Sequence, residues 1–257
     1  MIICSILVCW LILLWLILDS CHPLAMMTMP MSPVWSLSNA LAIFVMWVVM
    51  MIAMMLPSAI PMILLHQRMI IKNKKPFENL SFILSYLFIW VLFSVGAVAI
   101  QYISQVNGVL DASSLTVSKI ISIGLLVLAG GFQFTALKKT CLTKCRTPAG
   151  FFMGYWQSGV LGAFKMGTKH GLFCLGCCWA IMLLLFVGGV MNLSWVLLLT
   201  IAVVVEKTLP AGDLISKIIG VVLIMGAAFM TYDVILGQSL PVMNSMMMDC
   251  MKPMKMD

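Results

Sequence analysis

The chain has 257 residues, 63% of them apolar and only 9% charged, with a mean hydropathy of +1.14. A soluble domain carries about 45–50% apolar and about 25% charged residues, so this composition leaves too little polar surface to cover a water-facing globule. The net charge of +7 does not point to nucleic acid, because the 15 Lys and Arg lie in short clusters between apolar runs.

A helix needs about 20 apolar residues to cross a hydrocarbon core about 30 Å thick. In chain order the stretches that reach or approach this length are roughly 1–18, 39–65, 80–103, 118–137, 171–191, 194–206 and 214–236. They predict an all-α, polytopic transmembrane helical bundle of about seven spans, or six if the first is cleaved. The first run has no base before it, which favours a retained span. Asp19, Ser20 and Cys21 loosely resemble a lipoprotein cleavage site, so a processed signal or a lipidated Cys21 stands as the alternative. The sixth run is cut short by Glu206 and Lys207. On this division residues 1–37 hold the first span (or signal) and a Met-rich outer loop, 38–236 form a six-span metal-binding membrane domain, and 237–257 form a Met-rich tail.

Bases mark the cytoplasmic side of a membrane protein. With the N-terminus inside, the inner loops hold Arg68, Lys72, Lys74, Lys75, Lys138, Lys139, Lys144, Arg146, Lys165, Lys169, Lys207 and Lys217, which is 12 of the 15 bases. The outer side keeps Lys119, Lys252 and Lys255. The predicted orientation is therefore N-terminus cytoplasmic and C-terminus outside. Residues 150–167 hold Gly150, Gly154, Gly159, Gly162 and Gln157 and no charge before Lys165; they suit an interfacial or re-entrant segment, and crossing would invert everything after them.

The densest chemistry is His170-Gly-Leu-Phe-Cys174-Leu-Gly-Cys177-Cys178. If this run opens the fifth span, spacings of four, seven and eight bring His170, Cys174, Cys177 and Cys178 to one face. Thiolates and an imidazole that converge suit Cu(I) or Zn(II), whereas the plain alternative is Cys as a small buried hydrophobe. Cys141 and Cys145, four apart, share a helix face among Lys138, Lys139, Lys144 and Arg146, whose charge favours thiolate. The same topology sets this pair on the side of His170, so the two groups together would make a site of four or five ligands. The alternative is a basic loop with idle reduced thiols.

Methionine is the third signal, occurring 25 times. In the second span Met46, Met50 and Met54 form a stripe at spacing four, with Met51 and Met55 beside it and Pro57 and Pro61 beyond. Thioethers select Cu(I), but Met is also an adaptable core filler, and for a stripe inside a span filler is the simpler reading. Packing does not explain the polar segment Cys21-His22-Pro-Leu-Ala-Met26-Met27-Thr-Met29-Pro-Met31 or the tail with Met243, Met246, Met247, Met248, Cys250 and Met251. On the outer side such segments suit collection of Cu(I) or Ag(I), because a thioether forms no disulfide. Glu206, with Lys207, is a costly charge at a span end: either a functional group or a stop-transfer anchor. Phosphate-binding Gly loops, paired carboxylates and a Ser/His/Asp arrangement are not visible.

Met50–Pro61, Phe132–Pro148, Cys174–Met182, Gly189–Trp195 and Glu206–Gly212 resemble a bacterial family of predicted metal-binding integral membrane proteins, a domain of unknown function. The resemblance covers about residues 38–236. It implies a multi-span bundle in the bacterial inner (cell) membrane and a metal role for Cys141, Cys145, Cys174, Cys177 and Cys178, with the Met50, Met51, Met54, Met55 helix beside them. The outer Met-rich segments are not part of that pattern, and copper follows from ligand softness rather than from the family. The expected function is copper handling or transport through Cu(I), with zinc second. Expected partners are the metal ion, the lipid bilayer, and a periplasmic or cytoplasmic metal chaperone or another membrane subunit. Two other readings remain: a membrane thiol-disulfide oxidoreductase using Cys174 and Cys177 with Cys141 and Cys145 as exchange partners, and a structural subunit of a membrane complex.

Overall fold

The computed structural model describes residues 2–18, 22, 28, 35–71, 76–110, 115–190 and 192–236. Its helices are α1 (Ile2–Leu18), α2 (Leu37–Ile71), α3 (Pro76–Val106), α4 (Lys119–Phe132), α5 (Ala136–Arg146), α6 (Pro148–Tyr155), α7 (Val160–Leu183), α8 (Leu185–Gly188), α9 (Leu193–Thr208) and α10 (Gly212–Ile235). Among the described residues there is no strand, only an isolated bridge between Leu110 and Val117. Local chemistry sets several of these boundaries. Pro76 occupies the start of α3, where its missing N–H costs nothing, and Glu78 favours the positive end of the same first turn. Thr135 caps α5 by accepting from Lys138 N, and Asn192 caps α9 by accepting from Trp195 N.

The all-α bundle agrees with the sequence, but the count of about seven spans does not. Among the described residues four helices are long and apolar enough to cross a membrane: α2, α3, α7 continued through Gly188, and α10. A fifth exists if α4 and α5, bent by 65° between Phe132 and Ala136, make one broken span. α1 has 17 residues and α9 has 16. At 1.5 Å per residue both are about 25 Å long, short of the hydrocarbon thickness.

The stretch 150–167 is likewise corrected. It is not one segment: α6 ends at Tyr155, and α7 begins at Val160 after Gly159 with φ +86°. His170 therefore lies well inside α7 rather than opening it. Two glycines of α7, Gly167 and Gly171, are contact points. A Cβ on Gly167 would overlap Ser85 Oγ and the Phe82 carbonyl, and one on Gly171 would come within 2.8 Å of Ile89 Cγ1. Small residues let α7 and α3 approach closely, as interfaces between apolar helices require. Gly130 and Gly220 do the same for α4 and α10, where an added Cβ on Gly130 would stand 3.0 Å from the Gly220 carbonyl oxygen.

Contacts gather the helix ends into two groups. At one end His66 meets Asn79, Ser81 donates to Val160 O, Arg146 donates to Leu209 O and Pro210 O, and Lys139 faces Asp213. At the other, Trp35 donates to Gln105, Val117 N to Phe186 O, and Trp195 Nε1 to Leu184 O. Between these two ends α2 and α9 thus run in one direction and α3, α7 and α10 in the other. Outward faces are apolar, with Leu84, Phe88, Leu92 and Val95 exposed along α3 and Val222, Met225 and Phe229 along α10. A continuous exposed apolar surface is compatible with membrane insertion and unfavourable in water.

Candidate metal centre

α5 and α7 meet at cysteines. On α7 the four-residue and three-residue steps keep Cys174, Cys177 and Cys178 on the buried face, each 1% exposed. Cys145 of α5 reaches the same point: Cys177 Sγ lies 4.0 Å from Cys145 Sγ and 3.4 Å from Cys178 Sγ. Cys174 adjoins them on the same face, its carbonyl accepting from Cys177 Sγ at 3.1 Å. The four sulfurs form one buried group, called the sulfur ring below. All four are free thiols.

Two buried lysines flank this ring. Lys207, at the end of α9, donates to Cys174 Sγ at 2.8 Å and to Ser58 Oγ at 3.3 Å. Lys138, one turn before Cys141, donates to the Cys177 carbonyl at 2.7 Å, and its Nζ lies 2.6 Å from Glu206 Oε1. That ion pair is short but poorly aligned, and Glu206 Oε2 has no hydrogen-bond partner. Lys138 and Glu206 cancel in charge, which leaves the Lys207 ammonium facing the sulfurs. Tyr86 closes the third side, with its hydroxyl 3.2 Å from Cys174 Sγ and donating to the Met55 carbonyl at 3.1 Å. Ser58 donates to the same carbonyl. These contacts tie α2 and α3 to the site, and α2 runs as one helix through Pro57 and Pro61.

His170 is placed one turn before Cys174, 3% exposed, in a column of rings rather than among the sulfurs. It stacks on Tyr86 at 5.3 Å and on Phe82 at 6.2 Å, and Phe82 stacks on His66 at 4.6 Å. Its Nδ1 has no hydrogen-bond partner. Cys141 stands beside the ring over Gly176, where an added Cβ would come 2.9 Å from its sulfur. Met50, Met51, Met54 and Met55 are fully buried in the core of α2. His22 packs its ring against Trp15 at 4.8 Å, remote in sequence from the ring of sulfurs. Cys21, Met26, Met27, Met29 and Met31, like the tail, lie outside the described residues.

Glu206 and Lys207 do not pair with each other or end in an interface. They are 1% and 7% exposed and point to Lys138 and Cys174 respectively. Lys138 and Lys207, taken from the sequence as loop bases, are therefore internal charges. Lys207, Lys138 and Tyr86 were not legible as site residues. The available signal was the Glu206-Lys207 doublet inside an apolar run, where an uncompensated charge is costly and calls for a buried partner.

Among the described residues no group of three or more His, Cys, Asp or Glu side chains stands in a geometry that could hold a metal ion. The sulfurs instead contact one another through their protons. The donor set still fits a thiophilic ion: a tetrahedral ion with bonds of about 2.3 Å to sulfur separates its ligands by about 3.8 Å. The 3.4 and 4.0 Å distances that Cys177 Sγ makes to its two neighbours bracket that separation.

Residues 44–230 match a family described as PpoB2: Copper chaperone. No curated protein and no solved structure matches the chain. The family match supports the copper association drawn from ligand softness. Because it spans most of the sequence, the chain belongs to the PpoB2 copper chaperone family.

Proposed function

We propose that the chain is a copper chaperone integral to the bacterial inner membrane, holding Cu(I) within the sulfur group of Cys145, Cys174, Cys177 and Cys178, on two of them as thiolates, for delivery to a partner. The group of four buried sulfurs carries this reading. Charge supports it. Cu(I) on two thiolates bears a net charge of −1, and a buried anion needs a partner. Lys207 supplies the matching ammonium against Cys174 Sγ. Soft thiolates favour Cu(I), and Zn(II) is the second candidate for the same sulfurs. When bound, copper is the cargo. The protein's part is to desolvate it, exclude water and oxidants, and present it from a rigid helix pair.

Cys141 and His170 line the approach to the ring, and the Met helix of α2 forms its apolar wall. The end that gathers Arg146, Lys139, Lys144, Lys165 and Lys169 faces the cytoplasm in this proposal. The test is Cu(I) competition against a chromophoric chelator with detergent-purified protein. Wild type is expected to retain about one equivalent against Zn(II), and the Cys145→Ser, Cys174→Ser, Cys177→Ser, Cys178→Ser quadruple variant less than about a tenth of that. Stoichiometric copper in the quadruple variant would remove the site.

A further inference from the structure

A soft-donor stripe lies on α7 on the N-terminal side of the sulfur ring. Met166, His170 and Cys174 are spaced by four residues, so they follow one face with a rise of about 6 Å per step. All three are buried, at 2%, 3% and 1% exposure. The first step opens to the outside: Met166 lines a cavity of about 330 Å³ with Tyr155, Gln157, Phe164, Lys165 and Lys169. Its sulfur accepts from Gln157 N at 3.4 Å. The second step is the imidazole whose Nδ1 has no partner. The third is the sulfur held by Lys207.

Packing alone does not ask for an imidazole here. His170 sits between Phe82, Tyr86 and Phe151, where a phenyl ring would fill the same space without leaving a buried nitrogen unsatisfied. A thioether followed by an imidazole followed by thiolates ends on the ligands that hold Cu(I) most tightly, which draws an ion inward. The cavity itself is basic. Lys165 and Lys169 are exposed at its rim, and Lys169 Nζ lies 4.2 Å over the Tyr155 ring. A basic mouth repels a bare cation and attracts an anion. It therefore suits copper that arrives already complexed by thiolates.

We propose that the cavity between α6 and α7 is the loading site of the chaperone, taking Cu(I) as an anionic thiolate complex and passing it along Met166 and His170 to the sulfur ring. This rests on the sulfur ring as the final copper site. Copper stays Cu(I) throughout. Two Cu–S bonds to the donor break. Bonds to Met166 Sδ and a His170 ring nitrogen form and break in passing, and two Cu–S bonds to ring cysteines remain. Protons displaced from the ring thiols leave on the donor thiolates, so the charge brought in equals the charge retained.

The experiment is time-resolved loading of full-length purified protein from two probes, the Cu(I)–glutathione complex and the cationic Cu(I)–acetonitrile complex. Met166→Leu and His170→Phe are each expected to slow loading from glutathione about tenfold, with the end-point copper content still reached. Lys165→Gln with Lys169→Gln should slow glutathione loading by about tenfold and acetonitrile loading by less than about twofold. Rates within about twofold of wild type in both Met166→Leu and His170→Phe would overturn the ladder, as would equal slowing of both probes by the lysine variant for the anionic donor. A wild-type protein that retains no copper from either probe would instead overturn the sulfur site itself.

Discussion

Glu206 and Lys207 are adjacent in the chain and leave α9 toward different partners, one to Lys138 and one to Cys174. Each solves a different electrostatic problem. The Glu206–Lys138 pair neutralises a lysine whose ammonium also holds the Cys177 carbonyl, so the turn that carries two ring cysteines is anchored by charge. Removing one member of a buried pair costs about 3–5 kcal/mol, because the other is left uncompensated. Glu206→Gln is expected to lower the melting temperature in detergent accordingly. Glu206→Gln combined with Lys138→Met should recover most of that loss, since neither charge remains. Equal destabilisation in the single and double variants would show that the pair acts through shape rather than charge. Lys207→Met leaves this pair intact and removes the ammonium opposite Cys174. It is expected to weaken Cu(I) retention by about tenfold or more in chelator competition, because a buried copper–thiolate anion then lacks its counter-charge.

α7 carries both the sulfur ring and the closest helix contact, and the two depend on each other. Gly167 and Gly171 set the distance between α7 and α3, which in turn sets Tyr86 against His170 and Cys174. A methyl on Gly167 meets Ser85 Oγ and the Phe82 carbonyl, and the latter is backbone that cannot rotate away. Gly167→Ala should therefore destabilise by about 1–3 kcal/mol, as overpacked sites do, and reduce copper retention with it. Gly124 of α4 provides the control: nothing lies within 4 Å of an added Cβ. Gly124→Ala is expected to be neutral or stabilising by up to about 1 kcal/mol through helix propensity. Melting curves of the two variants check the pair, and a neutral Gly167→Ala would mean that α7 is free to shift. The bend between α4 and α5 works at the same scale. By ending an apolar helix at Phe132 and restarting a polar one at Thr135, it swings Cys145 under α7 while Lys139 stays exposed.

The whole molecule sorts its charges by helix end. Arg146, Lys139, Lys165 and Lys169 lie with the α6–α7 turn, whereas the opposite end is tied by Trp35, Gln105 and Trp195. Bases gathered at one end fit a bundle oriented with that end toward the cytoplasm. A Gln157→Cys variant in a Cys4→Ser, Cys21→Ser, Cys250→Ser background is expected to react with a membrane-impermeant maleimide in inside-out vesicles and not in intact cells. Labelling in intact cells would reverse the orientation and place the loading cavity outside.

Composition alone decided that this is an apolar helical bundle, and the residue types at spacings of three and four decided which face of each helix holds the soft donors: Cys141 with Cys145, and His170 with Cys174, Cys177 and Cys178. Those are local properties, since helical periodicity acts over a few residues. Span number was not settled locally, because α9 and the α4–α5 pair stop where buried charge and a capping threonine end them rather than where apolar residues run out. Nor was the membership of the sulfur ring, which takes Cys145, leaves Cys141 over Gly176, and recruits Lys207 and Tyr86 from helices far away in sequence. Only packing decides that, because a buried ammonium is stable where an anion meets it, and that meeting exists only after α5, α7 and α9 have come together.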